Sequence, residues 1–467
     1  MTSSTASLPD GSLRLLGGAD VCAFIEDQRW FADRHERITE AQAVVAATLH
    51  AADPLVLLGV VELTFATGLH DRYQLLLTDH GSDVGAKVCA LADGRGLWDG
   101  MSEPDALRAL GRLTGAGGDT SATSGAVRFR SLCDPGALSE PETARPLGTD
   151  TTNSAAVLNE RVLLKAYRRV CPGINPELEV LTYLSRVGFE GVPEILGWWE
   201  HVDETSEATL GLVQHYVQNA VDGWTLAVAE AGADHPECQL AGSLGELGAL
   251  TAALHGALAA GPEDGSFAPE WPHADQLGLL AASLDERLTE LSGTELLDDQ
   301  LMVIAELRQR LASAARTPDI GCLIRSHGDY HLGQTLLADH KWWIVDFEGE
   351  PMRDTSERRR RRSPLRDVAG MLRSLDYAAF VGARGHSPSH ASQWRIDARR
   401  AFLDAYVDGA DAFRLLPRHS QSIRDVLFVL ELEKILYEID YERAHRPDWI
   451  EIPLDGLRTL ADQEQAA

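Results

Sequence analysis

The first half of the chain is dominated by short apolar runs with the length and residue types of β-strands. Residues 57–65 (LLGVVELTF) and 72–78 (RYQLLLT) predict one pair of strands. Residues 155–158 and 161–167 predict a second pair that turns on Asn159-Glu160. We therefore expect the N-terminal half to be rich in β-sheet.

The second half changes to apolar residues at three- and four-residue steps, the spacing of amphipathic helices. A stretch of small residues at 115–125 (GAGGDTSATSG) is the first candidate boundary between subdomains. The segments that predict long helices are 244–260, 279–291, 298–315, 395–408 and 423–445. Strands followed by helices indicate an α+β fold with more than one subdomain.

Between these helices lies one short stretch of a different kind, residues 326–350. Two apolar runs, 335–337 and 342–345, flank Asp339-His340-Lys341, which predicts a β-hairpin. The hairpin would bring Gln334 at one end close to Asp346 at the other. Asp329 precedes Gln334 by five residues.

This arrangement of Asp329, Gln334 and Asp346 is the one that phosphoryl transfer requires. One carboxylate accepts the proton of an attacking hydroxyl, and an amide and a carboxylate supply oxygen ligands for Mg²⁺. The spacing matches the protein-kinase catalytic loop and metal segment, with Gln in place of Asn and Asp-Phe-Glu in place of Asp-Phe-Gly.

A nucleotide site is indicated further upstream. Lys165 stands in an apolar strand, where a charge needs a partner, and Glu179 in the helix that Pro176 opens is the predicted partner. The polar loop 150–154, which ends at Ser154, offers donors to phosphate, although most such loops are only turns. The strand 211–217 resembles a kinase hinge that meets an adenine edge.

Composition narrows the class of partners. Asp and Glu outnumber Lys and Arg by 71 to 42, which gives a formal net charge of −29. That charge repels nucleic acids and anionic membranes and favours cationic ligands, or simply solubility. The six cysteines form no CxxC pair, no signal peptide is evident and no run is long enough for a membrane span. We expect a cytoplasmic protein.

The late helix offers a second kind of chemistry. A face other than its apolar stripe carries polar residues at three- and four-residue steps: Glu431, Lys434, Glu438 and Tyr441 or Glu442. They form either an exposed stripe of ion pairs or the polar wall of a sugar site. Asp367, in the first turn of the helix after the run Arg358–Arg362, is expected to brace the catalytic loop by accepting backbone N–H bonds.

These residues resemble a known family. The chain looks like the actinobacterial maltokinases and maltokinase-like glucosamine kinases in six segments: 159–169, 173–189, 222–227, 326–350, 366–379 and 431–453. That family belongs to the aminoglycoside-phosphotransferase-like branch of the protein-kinase fold. The resemblance implies a two-lobed α+β fold: an N-terminal cap (1–115), a β-rich nucleotide-binding subdomain (116–217) and a mainly α-helical lobe (218–467).

The resemblance also implies roles for individual residues. Asp329 would be the catalytic base, and Gln334, Asp346 and Glu348 would be Mg²⁺ ligands. ATP would be bound by Lys165 with Glu179, and by Ser154, Gln214, Tyr216 and Val217. The residues expected to contact the sugar are Asp329, His331, Glu431, Glu438 and Tyr441.

The acceptor is expected to be glucosamine, phosphorylated on its 6-hydroxyl. Asp440 stands where the family pattern has an aliphatic residue, and an additional carboxylate suits an ammonium group, because charged hydrogen bonds are the stronger ones. The alternative acceptors are maltose and an aminoglycoside. The alternative to an enzyme is a non-catalytic pseudokinase scaffold. We expect a monomer or a weak homodimer.

Overall fold

The computed structural model describes residues 17–31, 36–82, 85–91, 93–133, 138, 141–148, 152–233, 239–261, 265–272, 275–292, 301–350, 353–384 and 388–462. The chain divides into two compact units. The first contains residues up to 185 together with 193–218, and the second contains 186–192 and the remainder from 219. The predicted start of the helical lobe, residue 218, lies next to this division.

The first unit begins with a five-stranded antiparallel sheet in the order β1-β2-β3-β5-β4. Strand β2 (Val56–Phe65), which lies between β1 and β3, is buried on both faces. Leu57, Val61 and Leu63 pack with the helix α1, whereas Leu58 and Val60 pack on the opposite side with the helix α2. This explains why the strand is almost continuously apolar rather than alternating. The elements are α1 (Ala19–Glu26), β1 (Ile38–His50), β2 (Val56–Phe65), β3 (His70–Thr78), β4 (Lys87–Ala90), β5 (Gly96–Asp99) and α2 (Pro104–Ala116).

A seven-stranded antiparallel sheet follows, in the order β6-β7-β11-β12-β10-β9-β8. The predicted turn Asn159-Glu160 joins β9 to β10, and both residues have positive φ, 51° and 53°, as a two-residue hairpin turn requires. The elements are β6 (Gly118–Ser121), β7 (Ala126–Ser131), β8 (Ala144–Leu147), β9 (Ser154–Leu158), β10 (Val162–Ala166), α3 (Pro176–Arg186), β11 (Ile195–Val202) and β12 (Glu207–His215).

The two sheets share one hydrophobic core. Leu58 and Val60 of the first sheet, Leu107 and Leu110 of α2, and Phe129 of the second sheet belong to the same buried cluster. The predicted cap and β-rich subdomain therefore form one compact unit in the structure.

The second unit is mainly helical and has one small sheet, in the order β13-β14-β15. Its longest helices pack closely because small residues face each other: a Cβ on Gly248 of α5 would lie 2.2 Å from the carbonyl oxygen of Phe402 in α10. The helices are α4 (Gly223–Ala231), α5 (Gln239–Leu258), α6 (Asp275–Ser292), α7 (Leu301–Ala314), α8 (Thr355–Arg358), α9 (Leu365–Ala383), α10 (Pro388–Asp411), α11 (Ser420–His445) and α12 (Glu451–Asp462). The strands are β13 (Val221–Asp222), β14 (Thr335–Ala338) and β15 (Lys341–Ile344).

The long helices predicted from the apolar spacing are all present, and residues 298–300 of one prediction lie outside the described residues. Among the helices described, none combines the length and the apolar character that crossing a membrane would take.

Candidate active site

Asp367 anchors the loop that carries Asp329 through hydrogen bonds to the loop backbone. The carboxylate of Asp367 accepts the backbone N–H of His327 at 2.8 Å and that of Gly328 at 3.0 Å, as the sequence predicted. It also contacts Nε2 of the fully buried His255 at 3.1 Å, and Tyr406 bonds the other ring nitrogen of His255. Burial acts to raise the pKa of Asp367, but the bonds from His255 and Gly328 outweigh it and the pKa is lowered. Asp367 is therefore an ionised anchor for the loop.

Asp329 follows this anchored segment and is half-buried. Its carboxylate makes no hydrogen bond or ion pair with other described residues, so both oxygens are available to a ligand. The next residue, Tyr330, is buried and its hydroxyl bonds Thr251 at 2.8 Å. That Tyr ring occupies the core of the unit, which explains why an aromatic residue is tolerated beside the candidate base.

The predicted hairpin is present as β14 and β15, with Asp339 and His340 as its two turn residues at φ 49° and 60°. Val345 donates its N–H to the carbonyl oxygen of Gln334 at 3.0 Å, so the residues at both ends of the hairpin lie side by side. The ring of His327 contacts the carbonyl oxygen of Val345 at 2.9 Å. The catalytic loop and the segment that begins at Asp346 are thus joined by a hydrogen bond.

Two carboxylates stand after the hairpin in the position expected of metal ligands. Oxygens of Asp346 and Glu348 lie within 4.8 Å of each other, and both residues are half-buried. Asp346 has a φ of 67°, a left-handed conformation that is uncommon for residues other than Gly, Asn and Asp. Two carboxylates with the amide of Gln334 nearby form a set of hard oxygen donors that fits Mg²⁺.

In the first unit, the partner of Lys165 is Glu177. Nζ of Lys165 lies 2.8 Å from Oε2 of Glu177, and the hydroxyl of Tyr167 donates to the same oxygen at 2.8 Å. The sequence had pointed to Glu179, whereas the ion pair that the structure gives Lys165 is with Glu177. Glu177 precedes the buried Val180 and Leu184 by three and seven residues and shares their face of α3, whereas Glu179 is turned toward a half-exposed side.

The other predicted ATP contacts are differently placed. The hydroxyl of Ser154 accepts a bond from Nε of the buried Arg168 at 2.7 Å, so it is already engaged within the sheet. Gln214 is buried within β12. Tyr216 donates its backbone N–H to the carbonyl oxygen of Arg161 at 2.8 Å, and Val217 is half-buried. Residues 149–151 of the predicted phosphate loop lie outside the described residues.

A cavity of about 530 Å³ in the second unit opens beside Asp329. Of the predicted sugar contacts, Asp329, His331, Glu438 and Tyr441 line it. Burial lowers the pKa of His331, whose Nδ1 accepts the N–H of Gly333 at 3.1 Å, so its imidazole is neutral near pH 7. Further side chains in the walls are Trp224, Arg373, Tyr377, Lys434, Tyr437, Glu442, Arg446 and Trp449.

Two predicted residues of the late helix do not face this cavity. Glu431 is buried and bonds Nη2 of Arg399 at 2.7 Å. Asp440, taken as the additional carboxylate of an ammonium site, is paired with Arg287 on the opposite side of α11. The carboxylates of α11 that line the cavity are Glu438, one of the predicted sugar contacts, and Glu442. Both predictions were wrong because contacts with neighbouring helices decide which face of α11 lines the cavity. The helical period of α11 alone does not determine that face.

A buried ionic network fixes the wall of the cavity. Nε and Nη2 of Arg373 donate to one oxygen of Glu438 at 3.0 and 2.8 Å, and Nη1 donates to Asp376 at 2.8 Å. Burial raises the pKa of Glu438, although Arg373 opposes the shift. Glu442 accepts bonds from Tyr377 at 3.1 Å and Arg446 at 2.8 Å. Each of these carboxylates is held in one orientation by an arginine.

Comparison with known proteins agrees with this geometry. The model of the phosphotransferase enzyme family (APH) matches residues 143–417, more than half of the chain. The chain belongs to this family. The maltokinase N-terminal cap domain matches residues 24–93, so the predicted resemblance of this phosphotransferase to the maltokinase-like branch is confirmed.

Two curated relatives of this phosphotransferase are glucosamine kinases. The protein from Mycolicibacterium smegmatis is 31% identical over 332 residues, which cover 68% of this chain and 80% of that protein. The protein from Streptacidiphilus jiangxiensis is 30% identical over 344 residues, which cover 68% of this chain and 73% of that protein.

Solved structures show the same fold. A glucosamine kinase in complex with glucosamine, ADP and inorganic phosphate superimposes with a TM-score of 0.66 at 22% identity, covering 90% of this chain and 93% of that one. A crystal form of a glucosamine kinase gives a TM-score of 0.66 as well, covering 91% of this chain and 94% of that one. The predicted α+β, protein-kinase-like fold is therefore confirmed.

The pairing of Lys165 generates a prediction. Glu177→Gln is expected to lower kcat/KM for MgATP by about 100-fold, because a misplaced lysine can cost two orders of magnitude in rate. Glu179→Gln, on the same helix, should stay within about threefold of wild type, as expected for a partly exposed carboxylate. Steady-state kinetics at saturating acceptor measures both, with the melting temperature as a check of folding. A larger loss in Glu179→Gln would restore the original assignment.

Proposed function

We propose that this phosphotransferase transfers the γ-phosphoryl group of ATP to the 6-hydroxyl of glucosamine. The observation that carries the proposal is the charge of the cavity beside Asp329. Glu438 and Glu442 are each paired with an arginine, and Lys434 lies 3.9 Å from Glu350. Asp329 is left as the carboxylate without a counter-charge among the described residues that line the cavity. A cationic amino sugar adds one positive charge to the cavity, and its ammonium group can donate to Oε2 of Glu442, which is buried without a hydrogen-bond partner among the described residues, while Asp329 meets the 6-hydroxyl.

The shape of the cavity also suits a sugar. Tyr437 and Tyr441 stack at 6.3 Å between ring centroids, and both rings line the wall together with Trp224 and Trp449. Aromatic faces cover the apolar C–H side of a sugar ring, while Glu438 and Glu442 offer acceptors to hydroxyl and ammonium groups and the Nε2–H of the neutral His331 offers a donor. Both curated relatives named above are glucosamine kinases, which supports the same acceptor here.

In the proposed reaction Asp329 accepts the proton of the 6-hydroxyl as the oxygen attacks the γ-phosphorus. The bond from phosphorus to the β,γ-bridging oxygen breaks, and ADP leaves with that electron pair. No covalent intermediate with the enzyme is needed. Asp367 keeps the backbone of the loop, and so Asp329, in position throughout.

Lys165 and Glu177 bind and orient the phosphates in this proposal, and Gln334, Asp346 and Glu348 would hold Mg²⁺. When bound, the ion neutralises charge on the phosphates. The contacts predicted for Gln214, Tyr216 and Val217 with the adenine remain part of the proposal, with the side chain or the carbonyl group of Tyr216 in place of its occupied N–H.

The acceptor is tested by ADP release with glucosamine, glucose, N-acetylglucosamine, maltose and kanamycin. Glucosamine is expected to exceed glucose in kcat/KM by about tenfold or more, because a charged hydrogen bond contributes about 1.5–3 kcal/mol. N-acetylglucosamine carries no positive charge, so its kcat/KM should be similar to that of glucose. Higher kcat/KM for maltose would identify a maltokinase, and higher kcat/KM for kanamycin an aminoglycoside phosphotransferase; either result contradicts the proposal.

The role of Asp329 is tested by Asp329→Asn. Turnover should fall by about 10²–10⁴-fold, the usual contribution of a general base, while the stabilisation by MgATP in a thermal melt is retained. Asp339→Asn is the matched control, since the hairpin turn is exposed and Asn accepts its positive φ. Turnover of Asp329→Asn within tenfold of wild type would show that Asp329 is not the base. Absence of any MgATP stabilisation in the wild type would favour a scaffold instead.

A further inference from the structure

The helical unit contains a strongly basic cleft apart from the sugar cavity. Five arginines line it: Arg353, Arg358, Arg360, Arg362 and Arg366. Two carboxylates, from Glu350 and Glu357, stand among them, so the cleft is positive in a chain with a net charge of −29. We refer to this group of residues as the arginine cleft. The run of arginines that the sequence shows at 358–362 supplies three of its side chains.

Among the residues that the structure describes, carboxylates do not pair with all of these guanidinium groups. Arg366 bonds both oxygens of Glu433, at 2.6 and 2.7 Å, and Arg353 pairs with Glu350. Arg360 is 68% exposed and has only a distant contact of 3.9 Å with Glu357. Arg353 and Arg366 therefore have carboxylate partners, whereas Arg360 is free to turn toward a ligand.

Arg362 differs from its neighbours. Its side chain is half-buried, yet its guanidinium makes no hydrogen bond or ion pair with any residue that the structure describes. Burial, followed by the positive charges of Arg366 and Arg353, lowers its pKa, although the carboxylates of Glu350 and Glu433 oppose the shift. Holding a partly desolvated cation near two others is unfavourable unless an anion compensates it.

We propose that the arginine cleft binds a small multivalent oxyanion, a free phosphate or the phosphate group of a metabolite. Planar guanidinium groups bind phosphate oxygens through paired N–H bonds, and clusters of them are a common phosphate-binding arrangement. The cleft encloses only about 10 Å³, so the anion binds at its mouth, on Arg360 and Arg362. A nucleotide base or a sugar ring does not fit inside.

The position of the cleft links it to the loops of the active site. It includes Gly328, which precedes Asp329, and Gly349, which follows Glu348. Both glycines have positive φ, 88° and 77°, and a Cβ on Gly328 would lie 3.4 Å from the Cα of Gly349. An anion that neutralises the arginines stabilises the place where these two loops meet.

Binding is tested with sulfate, which is neither a substrate nor a product, in thermal melts without nucleotide or sugar. Sulfate is expected to raise the melting temperature in a saturable way beyond sodium chloride of equal ionic strength. Arg362→Gln and Arg360→Gln should each raise the sulfate concentration needed for half of the shift by roughly tenfold. Arg362→Lys keeps the positive charge but loses the planar guanidinium group with its paired N–H donors. The sulfate concentration that it needs for half of the shift should lie between those of Arg362→Gln and wild type.

Arg400→Gln is the matched control because Arg400 is 80% exposed, pairs with Asp404 and lies outside the cleft. It removes the same charge and should leave the sulfate shift unchanged. Arg360→Gln changes an exposed side chain, so the test stands even if Arg362→Gln does not fold. Equal effects of sulfate and chloride, or equal losses in Arg400→Gln and the cleft variants, would overturn the proposal.

Two further probes distinguish the sources of the anion. Inorganic phosphate and glycerol 3-phosphate are titrated in the same way, with Arg362→Gln beside wild type. If only inorganic phosphate shifts the melting temperature in a way that depends on Arg362, the ligand is a free anion. If glycerol 3-phosphate gives such a shift as well, the cleft also binds phosphate esters. Both results support the site. Because no nucleotide or sugar is present, the outcome is independent of the proposed kinase activity.

Discussion

The buried carboxylate of Asp367 is the interaction on which the active site depends. Burying a carboxylate is costly unless it is hydrogen-bonded, and here two backbone N–H groups and the ring of His255 satisfy it. The same bonds fix the backbone of His327 and Gly328. Through the contact of His327 with Val345, the constraint extends to the segment that carries Asp346. The candidate base and the candidate metal ligands therefore move as one hydrogen-bonded unit.

The helix α9 transmits this order to the sugar cavity. Asp367 lies in its first turn, and Arg373 and Tyr377 follow on later turns, where they hold Glu438 and Glu442 of α11. Arg373 is 2% exposed, and its guanidinium is surrounded by carboxylates and by Gly456, whose Cβ would lie 2.7 Å from Nη1. Such a network is rigid because each charge that lost its partner would be left buried. One helix thus positions both the loop of the base and the carboxylates of the cavity.

The features that the sequence predicted correctly are those that local rules determine. The hairpin follows from alternating apolar residues around a polar turn, and the bonds of Asp367 follow from its place in the first turn of a helix after the catalytic loop. The errors lie where tertiary contacts decide. Glu177 and Glu179 are both acidic residues near the start of α3, and only the packing of that helix shows which one meets Lys165. Glu431 and Asp440 have the same helical period as Glu438, but Arg399 and Arg287 on neighbouring helices engage them.

We propose that Asp329 directs phosphoryl transfer to one hydroxyl of an amino sugar. Phosphorus NMR of the product formed from ATP and glucosamine tests it most directly, since the coupling between phosphorus and ring protons identifies the esterified oxygen. We expect a single phosphomonoester coupled to the two protons on C6, with a free amine on C2. A phosphate on O1, a phosphoramidate on the nitrogen, or no product from glucosamine while another sugar is phosphorylated would contradict it.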